Sequence, residues 1–314
     1  MTRRWWPWLR LVGAVAILGA LGWRLGADAF VAGLRAVDGW SVAAAVGIGL
    51  LTTLACARRW CLIARRLGLP LTLGAAVSTY YRALLLNAVL PAGVLGDVHR
   101  AVSHGRRAGD VGRGVRAVVF ERVAGQVVLV ALGVVVLSAG SSSVEVPGVL
   151  GVALVALVVV VAVVAGRSAK VRRALRTTWA DARTGLVNRE VLPEVVLLSA
   201  VALAGHVALF VVAAGAAGVE APIGGLVPLA VLALLVMAVP VNVGGFGPRE
   251  AFLAVAFGTA GLGAAQGLTT GVVYGVLALI GSLPGVLTLF RSEHRQVRPE
   301  RLDQRGQHVP ALVG

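Results

Sequence analysis

Charged residues are scarce in this chain, and acidic ones are scarcer still. Asp, Glu, Lys and Arg make up 14% of 314 residues, against about a quarter of an ordinary globular chain. Too few polar side chains remain to coat a water-facing surface, which excludes a soluble globular protein. Cysteine is nearly absent: Cys56 and Cys61 stand alone, so there is no disulfide framework, and beside a basic loop the two thiols read as reduced and structural. Catalytic signatures are missing as well. No His/Cys cluster has metal spacing, and neither a Walker loop nor a serine nucleophile elbow occurs. Gly244-Gly245-Phe246-Gly247 does not follow a strand in a βαβ unit, so a dinucleotide site fails. The expectation is therefore no metal, no cofactor and no enzymatic centre.

Apolar and small residues are present in abundance: 58% hydrophobic residues, 41 glycines and a mean hydropathy of +0.88. A spanning helix needs about 20 mostly apolar residues. Six stretches qualify as through-spans: 9–25, 39–57, 117–137, 147–165, 193–214 and 268–290. Trp5, Trp6 and Trp8 suit an interfacial aromatic belt. Arg3 and Arg4, the apolar run 11–23 and Ala27-Asp28-Ala29 imitate a signal peptide, but with five later spans the first helix is expected to stay uncleaved. Residues 28–38 suit a short interfacial helix on the outer face. The excess of basic residues, +15 in all, lies between apolar runs. That pattern points to membrane topology and away from nucleic acid.

Two further apolar stretches fit a simple crossing poorly. Residues 71–91 carry Tyr80, Tyr81, Arg82 and Asn87, and residues 226–240 are short and end in Pro-Val-Asn-Val-Gly-Gly. Arg58, Arg59, Arg65 and Arg66 precede the first stretch, and Arg100, Arg106, Arg107, Arg113 and Arg116 follow it. Lys and Arg accumulate on the cytoplasmic side, so both flanks belong there and the segment enters and returns on one face. With that topology 24 of the 29 Lys and Arg residues are cytoplasmic, as are both termini.

The two awkward stretches resemble each other. Val89-Leu90-Pro91-Ala92-Gly93-Val94-Leu95-Gly96-Asp97-Val98-His99-Arg100-Ala101 and Val239-Pro240-Val241-Asn242-Val243-Gly244-Gly245-Phe246-Gly247-Pro248-Arg249-Glu250-Ala251 align with a one-residue gap. Each runs from an apolar helix through proline and a glycine-rich loop to an arginine with a carboxylate close by. Pro91 and Pro240 end helices, and Gly93, Gly96, Gly244, Gly245 and Gly247 permit sharp turns. Broken backbone at membrane depth is tolerated only when buried in protein or lining a wet cavity. Three spans separate the loops, so they enter from opposite faces, a hallmark of inverted-repeat transporters with a site where the loops meet.

Charges at membrane depth are functional candidates by default. Arg82, Arg122 and Arg249 are expected to bind a lipid phosphate in a central cavity, with Asp97, Glu121 and Glu250 orienting them; Asn87, Arg100 and Asn242 complete the candidate binding set. The plainer alternative makes these charges ion pairs that staple the loops. Tyr80 and Tyr81 read as interfacial or loop-bonding residues, His206 as a satisfied buried histidine, and Gly267, Gly271 and Gly275 as a close helix-packing stripe.

Taken together, Asn87, Leu90-Pro91, Gly93, Gly96-Asp97 and Arg100, then Glu121-Arg122, then Pro240, Gly244-Gly245, Gly247 and Arg249-Glu250 resemble a known pattern. It is that of the flippase-like transmembrane domain family named after lysylphosphatidylglycerol synthase, which includes the membrane half of the bacterial multiple peptide resistance factor. Ala92 and Val94-Leu95 replace part of the usual glycine loop, and Pro248 stands just before Arg249. The resemblance implies a lipid flippase or lipid-handling membrane protein. The aminoacyltransferase domain that follows this region in the full-length synthases has no counterpart here, so lysyl transfer is not expected.

The fold expected is an all-α integral membrane protein of about six through-spans plus two oppositely oriented re-entrant hairpins, near 71–100 and 226–263. It forms one domain over 1–290, followed by a basic cytoplasmic tail over 291–314. The leading function is a plasma-membrane, flippase-like transporter moving an amphipathic, phosphate-bearing lipid between leaflets. The partners expected are membrane lipids and a second copy in a homo-oligomer. A membrane-embedded transferase, or its subunit, acting on polyprenyl-phosphate-linked sugars is the first alternative, and a structural scaffold the second. Loops no longer than about 30 residues seat a nucleotide-sugar domain poorly, which favours transport.

Overall fold

A computed structural model describes residues 27–89, 94–138, 189–237 and 248–291, all in helices and the turns that join them. The expected spans over 9–25 and 147–165, the loop residues Pro91, Gly93, Pro240, Asn242, Gly244, Gly245 and Gly247, and the tail from 292 lie outside the described residues.

Helix α1 (Ala27–Ala36) is short and carries Arg35 in its last turn. Asp38 then caps α2 (Gly39–Arg66): its carboxylate accepts from the Ser41 backbone N–H at 2.8 Å while Ser41 Oγ accepts from the Asp38 N–H at 3.0 Å. This reciprocal box satisfies two donors that a helix start otherwise leaves unpaired. The Ser41 amide, and then its hydroxyl, hold the Asp38 carboxyl below the ordinary range. Helices α3 (Leu73–Val89), α4 (Leu95–Arg107) and α5 (Val111–Ser138) follow, then α6 (Leu192–Ala216), α7 (Ile223–Met237), α8 (Pro248–Thr259), α9 (Ala264–Ser282) and α10 (Pro284–Arg291).

Four of these stretches are long and apolar enough to cross a membrane: α2, α5, α6, and α9 with the start of α10. They coincide with the four expected spans that fall among the described residues. Helices α3, α4, α7 and α8 have 17, 13, 15 and 12 residues. At about 1.5 Å per residue none exceeds about 26 Å, short of an approximately 30 Å hydrocarbon core. They form two hairpins, α3–α4 and α7–α8.

An internal repeat organises the bundle, with α2–α5 matched by α6–α9. Two residues beyond the end of α2 stands Gly68 (φ +77°), and two beyond the end of α6 stands Gly218 (φ +75°). In both turns the residue after glycine donates to the carbonyl five positions back, Leu69 to Ala64 at 2.9 Å and Val219 to Ala214 at 3.0 Å. This is a Schellman-type end, which a side chain in the left-handed region would strain. Helices α4 and α8 end the same way at Gly109 (φ +76°) and Gly261 (φ +73°), with Asp110 donating to Gly105 and Leu262 to Phe257, both at 2.9 Å.

Helices α2 and α6 pack antiparallel. Arg66 pairs with Glu190, Arg58 with Glu194, and Arg59 bonds Ser199, while Gly205 lies against Thr52. The core is divided accordingly. One apolar cluster gathers the far half of α2 with α3, α4, α5 and the start of α6, around Trp60, Ile63 and Phe120. The other gathers the end of α6 with α7, α8 and α9, around Phe210, Leu229, Leu253 and Phe257. Polar groups and a cavity occupy the middle.

Candidate functional site

The first hairpin is closed by Asn87. Val94, at the N-cap of α4, supplies no side-chain acceptor. Asn87 Oδ1, reaching across from α3, accepts the Gly96 backbone N–H at 2.7 Å, and Asn87 Nδ2 donates to Asp97 Oδ2 at 3.1 Å. Gly96 is required at this spot, because a Cβ there would sit 2.1 Å from the Ala83 carbonyl oxygen. The hairpin thereby aims Asp97 and Arg100 into the fold.

Glu121 of α5 is wholly buried and receives them. Its Oε2 accepts from Arg100 Nη2 at 2.6 Å, and its Oε1 accepts from Arg59 Nη2 and, at 3.3 Å, from the Tyr80 hydroxyl. Arg59 also donates to Ser199 Oγ on α6 at 2.7 Å, and the Ser199 hydroxyl donates in turn to the Val195 carbonyl at 2.7 Å. Arg100, itself fully buried, donates from Nε to Asp97 Oδ1 at 2.7 Å. Its guanidinium lies over the Tyr80 ring at 4.4 Å and the Trp60 ring at 5.0 Å, where the ring faces favour a desolvated cation. Arg122 pairs with Asp97 Oδ2. Three guanidinium groups thus meet two carboxylates, a net charge of +1 within the cluster. Such buried charges are tolerated because each carboxylate oxygen is engaged by a cation.

In the second repeat the corresponding positions meet by other means. Gly114 and Gly267 are each jammed against the preceding helix, by Gly105 and by Leu253, and seven residues beyond them stand Glu121 and Tyr274. Twelve residues before the helix-ending Gly109 and Gly261 stand Asp97 and Arg249. The loop alignment sets Arg249 near Arg100; the helix ends set it opposite Asp97, because this repeat carries two more residues between its capping glycines (Gly218 to Gly261) than the first (Gly68 to Gly109). Arg249 pairs with Glu250 and lies 5.0 Å from the centroid of Tyr274. Tyr274 in turn shares a 3.4 Å hydrogen bond with His206 Nδ1.

A two-lobed cavity lies between these clusters. The polar lobe, about 280 Å³, is lined by Arg59, Arg122, Gln126, Ser199 and Cys56 among others. The second, about 180 Å³, is lined by Ala88, Arg249 and the small residues Gly49, Gly275 and Gly281. Thr52, Thr53, Leu84, His206 and Met237 line both lobes, so they adjoin. The tips of both hairpins reach this space: Leu84 and Ala88 from α3, Met237 from α7, and Arg249 from α8.

The candidate residues are sorted by this geometry. Arg122 and Arg249 line the cavity, and Arg122, with 43% of its side chain exposed, opens onto it. Asn87, Asp97, Arg100, Glu121 and Glu250 line neither lobe and sit behind the arginines as ion-pair and hydrogen-bond partners. Arg82 also lines neither lobe; it donates to the Thr288 carbonyl of α10 at 2.6 Å. The basic run 58–66 groups Arg59 with a cytoplasmic flank, yet it is buried at the centre of the cluster. The signal for it is that Trp60-Cys61-Leu62-Ile63 continue the apolar pattern beyond Arg58-Arg59. Among the described residues no group of three His, Cys, Asp or Glu could hold a metal.

Helices long and apolar enough to span a membrane, packed around an arginine-bearing two-lobed cavity, define a polytopic helical membrane protein. The family profile described as the Lysylphosphatidylglycerol synthase TM region matches residues 8–285, and the chain belongs to that family. No curated protein matches it. Membership points to a membrane lipid-related function.

Proposed function

We propose that the chain is a flippase-like transporter that moves an amphipathic, phosphate-bearing lipid between leaflets of the plasma membrane, with both termini cytoplasmic. The two hairpins re-enter from opposite faces, and their tips form the gates of one central cavity. The observation that carries this reading is that residues from both tips, Leu84 and Ala88 of one and Met237 and Arg249 of the other, line a single space with arginine on its wall. Opposed broken segments meeting at mid-depth are the architecture in which alternating access operates. A headgroup phosphate is matched to guanidinium donors, while acyl chains remain against lipid-facing apolar surface. Glu121 and Asp97 hold the arginines in place ahead of binding, so the site is organised before its ligand arrives.

Reconstitution into vesicles containing fluorescent phospholipids tests this. Accelerated loss of fluorescence after addition of an impermeant quencher is expected, and Arg122→Ala should abolish the acceleration while the protein still inserts. Leaflet exchange no faster than in empty vesicles for every lipid would refute transport.

A further inference from the structure

Arg59, Arg100, Arg122 and Arg249 each meet a carboxylate. Arg82 meets none among the described residues. Its Nη2 donates to the Thr288 carbonyl at 2.6 Å, one of the four carbonyls that the end of α10 leaves without a partner inside the helix. The neighbouring charge that acts on Arg82 is that of Arg107, and it has the same sign. Arg107 lies exposed in the last turn of α4 and enters no ion pair or hydrogen bond among the described residues. Two guanidinium groups therefore share one corner of the first hairpin, with a single carbonyl to answer them. A cation among apolar segments is costly unless an anion compensates it.

The corner is open on its outer side. Arg82 is partly exposed, and its Nη1, unlike its enclosed Nε, is neither bonded nor sealed off. Long helix side chains lean toward the helix N-terminus, which carries the Arg82 head away from the hairpin tip and toward the end of α4, where Arg107 stands. Helix α10 forms a fixed wall. A Cβ at Gly285 would sit 2.5 Å from the Tyr81 carbonyl oxygen, and Leu283 and Leu287 of α10 are 48% and 69% exposed. Charged donors beside bare apolar surface fit a molecule with a phosphate at one end and a hydrocarbon chain at the other. We infer that Arg82 and Arg107 hold the phosphate of a phospholipid against the outer flank of the α3–α4 hairpin, with its chains along Leu283 and Leu287. Guanidinium groups match phosphate oxygens in geometry as well as charge. Arg82 and Arg107 line neither lobe of the central cavity, so this lipid seats the hairpin against α10 and is not cargo. Its binding does not depend on transport.

The test follows the melting temperature of the full chain in detergent with short-chain phosphatidylglycerol, a short-chain diacylglycerol and inorganic phosphate. Phosphatidylglycerol should raise it saturably, and the diacylglycerol, which lacks phosphate, should not. Arg107→Gln, at an exposed position, should weaken the apparent affinity about tenfold without disturbing the fold, and Arg82→Gln should do the same. Arg82→Lys, which keeps the charge, should fall between. The part of the response that depends on Arg107 should survive Arg122→Gln in the cavity wall. Loss of the whole response in Arg122→Gln, with Arg107→Gln unaffected, would put the lipid in the cavity and overturn the inference. An equal rise with inorganic phosphate would make this a free-anion site, and an equal rise with diacylglycerol an apolar one; either outcome overturns the lipid-phosphate assignment. Glu293, two positions past α10, supplies the last control. If Glu293→Gln lowers the melting temperature as far as Arg82→Gln and neither alters the lipid response, a carboxylate of this chain is the partner and the inference fails.

Discussion

The two repeats solve the same geometric problem with different chemistry. In α2–α5 the positions that meet are Asp97 and Glu121, joined through Arg100 and backed by Arg59 and Arg122. In α6–α9 the same positions hold Arg249 and Tyr274, joined by a cation on a ring face. The first arrangement is a rigid lattice of charge, the second a softer contact whose apolar surroundings come from Leu253, Phe257 and Phe210. Structural symmetry has therefore been kept while charge symmetry has not. The cavity between them is polar and basic on one side and largely apolar on the other, a shape suited to a molecule with a headgroup and a chain.

The sharpest way to break the comparison is to remove the centre of the charged repeat. Glu121→Gln strands Arg59 and Arg100 in a buried site with a single carboxylate left nearby, and losing one partner of a buried ion pair costs about 3–5 kcal/mol. A large fall in melting temperature and in yield of monodisperse protein in detergent is expected. Unchanged stability would mean the lattice is not what holds α2, α4 and α5 together.

A smaller effect should separate the first hairpin from an open site in the second. Gly96→Ala forces a methyl group against the Ala83 carbonyl, an overpacking cost of about 1–3 kcal/mol. Gly224→Ala, at the start of α7, meets nothing within 4 Å and should be neutral or slightly stabilising. Comparable melting temperatures for the two variants would dissolve the claim that hairpin closure depends on backbone approach.

The smallest effect belongs to the softer contact. Tyr274→Leu removes the ring beneath Arg249 and the hydroxyl beside His206, a loss of about 1–2 kcal/mol. Tyr274→Phe, which keeps the ring, should recover most of the difference. If Phe is no better than Leu, the hydroxyl–His206 bond rather than the ring carries the contact.

Much of the framework was readable along the chain. Uninterrupted apolar runs in α2, α5, α6 and α9 announce spans, because a helix in lipid needs length and few charges. The depth charges Asp97, Arg100, Glu121, Arg122, Arg249 and Glu250 announced themselves by their cost in such surroundings. What a linear pattern does not carry is the rotation of each helix about its axis. Arg59 is hidden in a basic run that includes the exposed Arg58 and Arg66; only the packing of α2 against α5 and α6 turns it inward. Arg82 has the same composition signal as Arg122, yet it faces α10. Trp60, His104 and Ser199 resemble ordinary helix residues until neighbours from other helices give them partners. The equivalence of Glu121 with Tyr274 is also invisible to residue matching, since it rests on where helices end and cross.

Composition and the spacing of apolar runs were enough to announce a membrane protein and the positions of the four long helices α2, α5, α6 and α9, since each follows from local hydropathy. Which arginines confront the cavity and which serve as buried struts depended on the assembled bundle. A guanidinium's role is set by the nearest carboxylate in space, and Arg59 and Glu121, which define the centre of the site, lie 62 positions apart in the chain.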